Sequence, residues 1–210
     1  MSPFVIALEG LDYAGKTSVA ADLAARFSQT GRTVASLRAP GGTPVGKKLR
    51  ELVVSMDPPF QDGYARQQVF LADHRELLTQ ELLPAVATGA VVILDRWLDS
   101  TRAYAVGGLK LEPGQLERMI EASIYSVPEA TLLPDITLYF DLSVEMLVYR
   151  RGMAGSRNPL DTMGRAFYHR TRQKYLSLLT DRHIRLDAHL PLTVVADQAW
   201  NVLQQIEGGH

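Results

Sequence analysis

Phe4-Val5-Ile6-Ala7-Leu8-Glu9-Gly10-Leu11-Asp12-Tyr13-Ala14-Gly15-Lys16-Thr17-Ser18 decides the fold. An apolar run, Phe4 to Leu8, reads as a buried strand, and a helical pattern carried by Val19, Leu23 and Phe27 follows. Between them stands G-x-x-x-x-G-K-[ST], the phosphate-binding P-loop, in the strand–loop–helix order that its mechanism requires. Gly10 and Gly15 let the chain bend tightly enough for backbone N–H groups to wrap a phosphate. The helix N-terminus adds positive potential at the same point. Residues Gly10, Leu11, Asp12, Tyr13, Ala14, Gly15, Lys16, Thr17 and Ser18 are therefore the candidate triphosphate cradle. Lys16 is placed to reach the outer phosphates and Thr17 to hold Mg²⁺.

Further strands are expected at Thr33–Leu37, Ala90–Leu94, Ile136–Asp141 and His183–Leu186. Helical patterns fill the gaps at Ser18–Gln29, Pro44–Ser55, Asp62–Ala87, Gln115–Ser126, Val144–Arg150 and Gly164–Leu179. Locally β-like Leu192-Thr193-Val194-Val195 is assigned to a last helix, Pro191–Ile206, because Leu192, Val195, Ala199, Val202 and Ile206 keep helical spacing. Alternating strands and helices predict an α/β fold, a central five-stranded parallel sheet with helices on both faces. Val91-Val92-Ile93-Leu94 suits a central strand buried on both sides.

Ligands of such sheets bind beyond the carboxyl ends of the strands, where the chemically suggestive clusters fall. Asp95-Arg96 ends the most apolar strand. Arg96 offers a planar fork for a substrate phosphate, and Asp95 suits an outer Mg²⁺ group; a structural ion pair is the competing reading. Arg38-Ala39-Pro40-Gly41-Gly42-Thr43-Pro44 follows the second strand. With Arg50 it forms either a loop close to a ligand or a connection before a solvated basic face. Phe70 and His74 share a helix face; Phe70 can stack on a base and His74 reach its edge, although spacing alone fits a core Phe beside an incidental His better. Ser100, Thr101 and Tyr104 can border a sugar or lie on a surface helix. Arg150, Arg151, Arg157 and Arg165 alternate with Gly152, Gly155, Pro159 and Gly164, which suggests a lid over about 151–164 that closes on phosphates. The helix after it, with Arg170, Arg172 and Lys174, reads as a solvated face.

Composition excludes several classes. The chain has 210 residues and a net charge of −1, so it is expected to be one domain with no general polyanion-binding surface, hence no nucleic-acid partner. It has no cysteine, which removes disulfides, zinc-thiolate sites and cysteine nucleophiles and fits a reducing, cytoplasmic setting. Neither a signal peptide nor an apolar run of about 18 residues is found, so no membrane partner is expected.

Together these residues resemble the thymidylate kinase family of P-loop nucleoside monophosphate kinases. The resemblance rests on the P-loop, on Pro40-Gly41-Gly42-Thr43-Pro44-Val45-Gly46 with Arg50, on Phe70-Leu71-Ala72-Asp73, on Asp95-Arg96-Trp97 through Ser100, on Ala103-Tyr104, on Pro134-Asp135, on Phe167 to Leu176 and on Asp187-Ala188. It implies the three-layer P-loop NTPase fold with a short lid and transfer of the ATP γ-phosphate to a deoxypyrimidine monophosphate, foremost dTMP to dTDP, with Mg²⁺, in a homodimer. It also implies roles. Lys16 and the loop amides would hold ATP, Asp12 would orient the acceptor, and Arg38, Arg50 and Arg96 would bind the acceptor phosphate beside Pro40. Phe70 would stack on thymine, and Tyr104 would disfavour a 2′-hydroxyl. Arg150, Ala188 and His189 would border adenine, and Arg157 would stabilise the transferring group. The chain departs from the family pattern at His74, where an arginine is usual, and at Ala39, Ala105 and Tyr13. These changes gather on the acceptor side and leave room for a modified pyrimidine. A deoxynucleoside kinase would need no acceptor-phosphate site, which Arg38, Arg50 and Arg96 argue against. A non-catalytic nucleotide binder is opposed by the intact Lys16, Thr17, Asp12 and Arg96.

Overall fold

A computed structural model describes residues 2–55, 60–132, 134–154 and 163–207. Five strands, β1 (Phe4–Gly10), β2 (Val34–Arg38), β3 (Val91–Asp95), β4 (Ile136–Asp141) and β5 (His183–Asp187), form one sheet in the order β2-β3-β1-β4-β5. Every pairing is parallel. The expected strands all form, within a residue or two of the expected ends. The register aligns Arg38 with Asp95, Gly10 with Phe140 and Asp141 with Asp187, so the carboxyl ends make one edge.

The helices are α1 (Lys16–Gln29), α2 (Pro44–Ser55), α3 (Gly63–Leu77), α4 (Leu83–Ala87), α5 (Leu98–Arg102), α6 (Pro113–Ile120), α7 (Val144–Ala154), α8 (Arg165–Leu178) and α9 (Leu192–Glu207). The sheet's period of two sorts the core into two layers. Phe4, Ile6, Leu8, Val91 and Ile93 pack with Leu23 and Phe27 of α1, Tyr175 of α8 and Leu203 of α9. Val5, Ala7, Val92 and Leu94 pack on the other face with Leu71 and Leu77 of α3 and Leu116 and Ile120 of α6. This is the expected three-layer α/β architecture. Leu71, Leu77, Leu78 and Leu82 all lie in the core, so the leucines between Val69 and Leu83 serve the protomer itself.

The single helix expected over Asp62–Ala87 is interrupted by a widened π turn at Leu78–Leu82, just ahead of Pro84, whose missing N–H cannot continue the regular ladder. Similar widening occurs at Glu121–Tyr125 and at Ala103–Gly108. The second of these packs closely on α8: a Cβ at Gly107 would run into the Arg170 carbonyl. Finally, the basic residues of α8 are not simply solvated. Arg172 pairs with Asp141 at 2.7 Å, and Arg170 donates to the Gly107 and Gly108 carbonyls.

Candidate active site

The loop after β1 turns through Gly10 (φ 138°), Tyr13 (φ 63°) and Gly15 (φ 92°). Gly10 has a second reason to be glycine: a Cβ there would collide with the Phe140 carbonyl on β4. Tyr13 takes the left-handed conformation despite its side chain, a modest strain. Its carbonyl accepts from Arg150 Nη1 at 3.0 Å, and Arg150 Nη2 donates to the Ala188 carbonyl at 2.8 Å. Arg150 of α7 thus ties the P-loop to the loop after β5. In that loop His189 bridges Asp187 and Ser143, and the Ala188 side chain is buried.

Lys16 is only 6% exposed and folds back over the loop, donating to the carbonyls of Leu11 at 2.7 Å and Gly10 at 3.1 Å. Burial, reinforced by nearby Arg96, pushes its pKa down to about 8. Thr17 Oγ1 donates to Asp95 Oδ2 at 2.7 Å. Ser18 joins these residues around a cavity that also takes in Arg38 and Arg150.

Arg96 follows β3 in a left-handed conformation, φ 76°, which turns its side chain back under the P-loop. Its Nη2 meets Asp12 Oδ1 at 2.5 Å, and its Nη1 donates to the Gly10 carbonyl and Ser100 Oγ, both at 2.9 Å. Tyr104 donates to the other Asp12 oxygen at 3.0 Å and lies against the Arg96 guanidinium. Burial works against the Asp12 carboxylate, but Arg96, Lys16 and Tyr104 outweigh it and hold its pKa below the ordinary value.

A second cavity opens on the far side of this pair. The expected acceptor residues come together around it: Arg38, Pro40, Arg50 and Arg96 at one end, Phe70 and His74 on α3, and Ser100, Thr101 and Tyr104 along the segment after β3. Arg50 Nη1 reaches the Pro40 carbonyl, and the Ala39–Pro40 peptide is cis. The two cavities share Asp12, Arg38 and Arg96. Arg157 lies outside the described residues, as does most of the expected lid; Arg151 to Ala154 continue α7 and Arg165 opens α8.

Several residues at this site are visible only in the structure. Glu9 is buried behind the P-loop and accepts from the backbone N–H groups of Trp97 (2.7 Å) and Ser100 (3.1 Å), from Ser100 Oγ and from the Tyr175 hydroxyl (3.2 Å). Burial, with help from Asp99, raises its pKa to about 7. Asp73 anchors the Pro-Gly-Gly loop by accepting from the Gly41 N–H at 2.8 Å. Gln67, Arg66, Trp97 and Phe167 also line the second cavity. Glu9, Asp73, Trp97 and Phe167 stand inside blocks that carry the family resemblance, but nothing in the sequence assigns any of them to the site, and Arg66 and Gln67 stand in no such block.

A glycine loop over one cavity, a second cavity with an apolar floor, and cationic side chains between them define a P-loop nucleotide phosphotransferase. The family model described as Thymidylate kinase matches residues 8–199, and the chain belongs to that family. It is accordingly an ATP-dependent nucleoside monophosphate kinase. No helix among the described residues is long and apolar enough to cross a membrane.

Proposed function

We propose that the chain transfers the γ-phosphoryl group of ATP to the 5′-phosphate of a deoxypyrimidine nucleotide, dTMP foremost, giving dTDP. The observation that carries this reading is the sharing of Asp12, Arg38 and Arg96 by two cavities, since an in-line transfer needs donor and acceptor phosphates to meet at one cationic point.

Lys16 and the N–H groups of the loop would cradle the ATP phosphates, with Arg150 and the Ala188–His189 turn beside the adenine. A phosphate would draw the Lys16 ammonium off the carbonyls that now hold it. Thr17 and Asp95 fit Mg²⁺: one hydroxyl and one carboxylate, hydrogen-bonded together, suit a hard ion that takes its other ligands from phosphates and water. The ion would neutralise charge on the β- and γ-phosphates. Arg38, Arg50 and Arg96 would grip the acceptor phosphate, and Asp12 would keep Arg96 aimed. Tyr104 would lie beneath the sugar and Phe70 against the base. Arg157 would add a cation to the transferring group. The family further suggests a homodimer, testable by sedimentation against the 23.2 kDa protomer.

The test is ADP release with ATP, Mg²⁺ and each of dTMP, dUMP, dCMP, dGMP, dAMP and thymidine. The reading expects kcat/KM to be highest for dTMP, with thymidine inert. Turnover of thymidine but not dTMP would overturn it.

A further inference from the structure

Helix α3 sets Gln67, Phe70 and His74 on one face, at spacings of three and four residues, and all three line the second cavity. His74 stands where a base-reading group is expected, yet its polar atoms are not offered to the cavity. Nδ1 lies 2.7 Å from the Phe70 carbonyl, which only accepts, so Nδ1 carries the proton. Nε2 is sealed inside the protein on the side of the Trp97 backbone, and the ring rests 5.1 Å from the Trp97 ring. His74 therefore contributes a packing surface.

Gln67 is the reverse case. It is 3% exposed, and its amide hydrogen-bonds to none of the described residues. Among the described residues, sealed side-chain atoms without a hydrogen bond include those of Asp73, His74 and Trp97 but none of Gln67, so the Gln67 amide instead opens onto the cavity it lines. Three residues on, Phe70 has the Arg66 guanidinium over its ring at 5.8 Å, and Arg66 is itself held by the Val53 carbonyl at 2.8 Å. A buried amide left unpaired is costly, and a ligand edge carrying one donor and one acceptor would satisfy both of its ends.

We propose that Gln67 is the specificity-determining residue for the acceptor base: its amide oxygen accepts from N3–H and its amide nitrogen donates to the 4-carbonyl of a pyrimidine lying on Phe70. This rests on the acceptor-site reading above and assigns to Gln67 the base contact expected of His74. A 4-oxo pyrimidine presents that donor and acceptor side by side, matched to one carboxamide in two hydrogen bonds.

The test pairs Gln67→Leu with N3-methylthymidine 5′-monophosphate, which lacks the N3–H. Binding is followed by calorimetry and turnover by ADP release, so the answer does not depend on activity alone. In the wild type, N3-methylation is expected to weaken binding by about tenfold or more, the loss of a buried hydrogen bond. In Gln67→Leu, dTMP itself should bind about tenfold more weakly, N3-methylation should cost less than about twofold, and ATP affinity should stay put. Gln67→Met, of similar length, gives the same readout should the leucine variant fail to fold. Unchanged dTMP affinity in the variant, or a full methylation penalty retained there, overturns the assignment while leaving the kinase reading intact. A wild type that binds no dTMP overturns both.

Discussion

Arg96 and Asp12 meet at 2.5 Å on the boundary between the two cavities. Neither is free to drift: Arg96 is also held by Ser100 and the Gly10 carbonyl, and Asp12 by Tyr104. Arg96→Ala should therefore cut kcat/KM for the acceptor by about 100-fold or more, the loss of a charge-assisted contact with a phosphate. The KM for ATP should change far less. Steady-state kinetics with each substrate varied in turn separates the two, and an untouched acceptor KM and kcat would misplace the acceptor site.

Lys16 gives a pH signature. Its pKa is about 8 in the folded chain against an ordinary 10.5, so between those values the unfolded state binds more protons and stability rises with pH. Bound phosphate reverses the preference by favouring the ammonium. ATP binding should take up a proton near pH 8, and affinity should fall as pH rises from 7 to 9.5. Calorimetry in buffers of different ionisation enthalpy measures the uptake directly. Lys16→Ala should abolish it together with turnover.

Glu9 acts in the opposite sense. Its pKa of about 7 exceeds the ordinary 4.5, so its contribution to stability is complete below pH 4.5 and is lost as pH rises through 7. The difference in Tm between wild type and Glu9→Gln, followed from pH 5 to 8, should move against the wild type as pH rises. A pH-independent difference would mean that the buried carboxyl does not titrate in this window.

Asp141 is buried between Arg172 and Arg185, at 2.7 Å and 2.5 Å. Arg172→Ala should cost about 1–3 kcal/mol of stability, because half-exposed Arg185 alone cannot replace a two-pronged partner. Denaturant unfolding reports the loss, and turnover at low temperature should be close to wild type.

The parts of the molecule legible in sequence are those set by local chemistry. The P-loop announces itself because its glycines, lysine and threonine are demanded at fixed offsets, and β3 because both of its faces are apolar. What sequence missed is set by distant partners. Arg172 looked solvated because Asp141 lies 31 residues away. The widened turn at Ala103–Gly108 reflects packing on α8 rather than propensity. Gln67 is not legible because a glutamine on a helix reads as surface until its burial is known, whereas His74 stands out through its chemistry while its ring nitrogens face the protein.

The most direct test follows the label from γ-³²P-ATP in a single turnover with Mg²⁺ and dTMP. The label should appear in dTDP, at a rate that collapses in Arg96→Ala and Lys16→Ala. Label released as inorganic phosphate with dTMP left unchanged would contradict it.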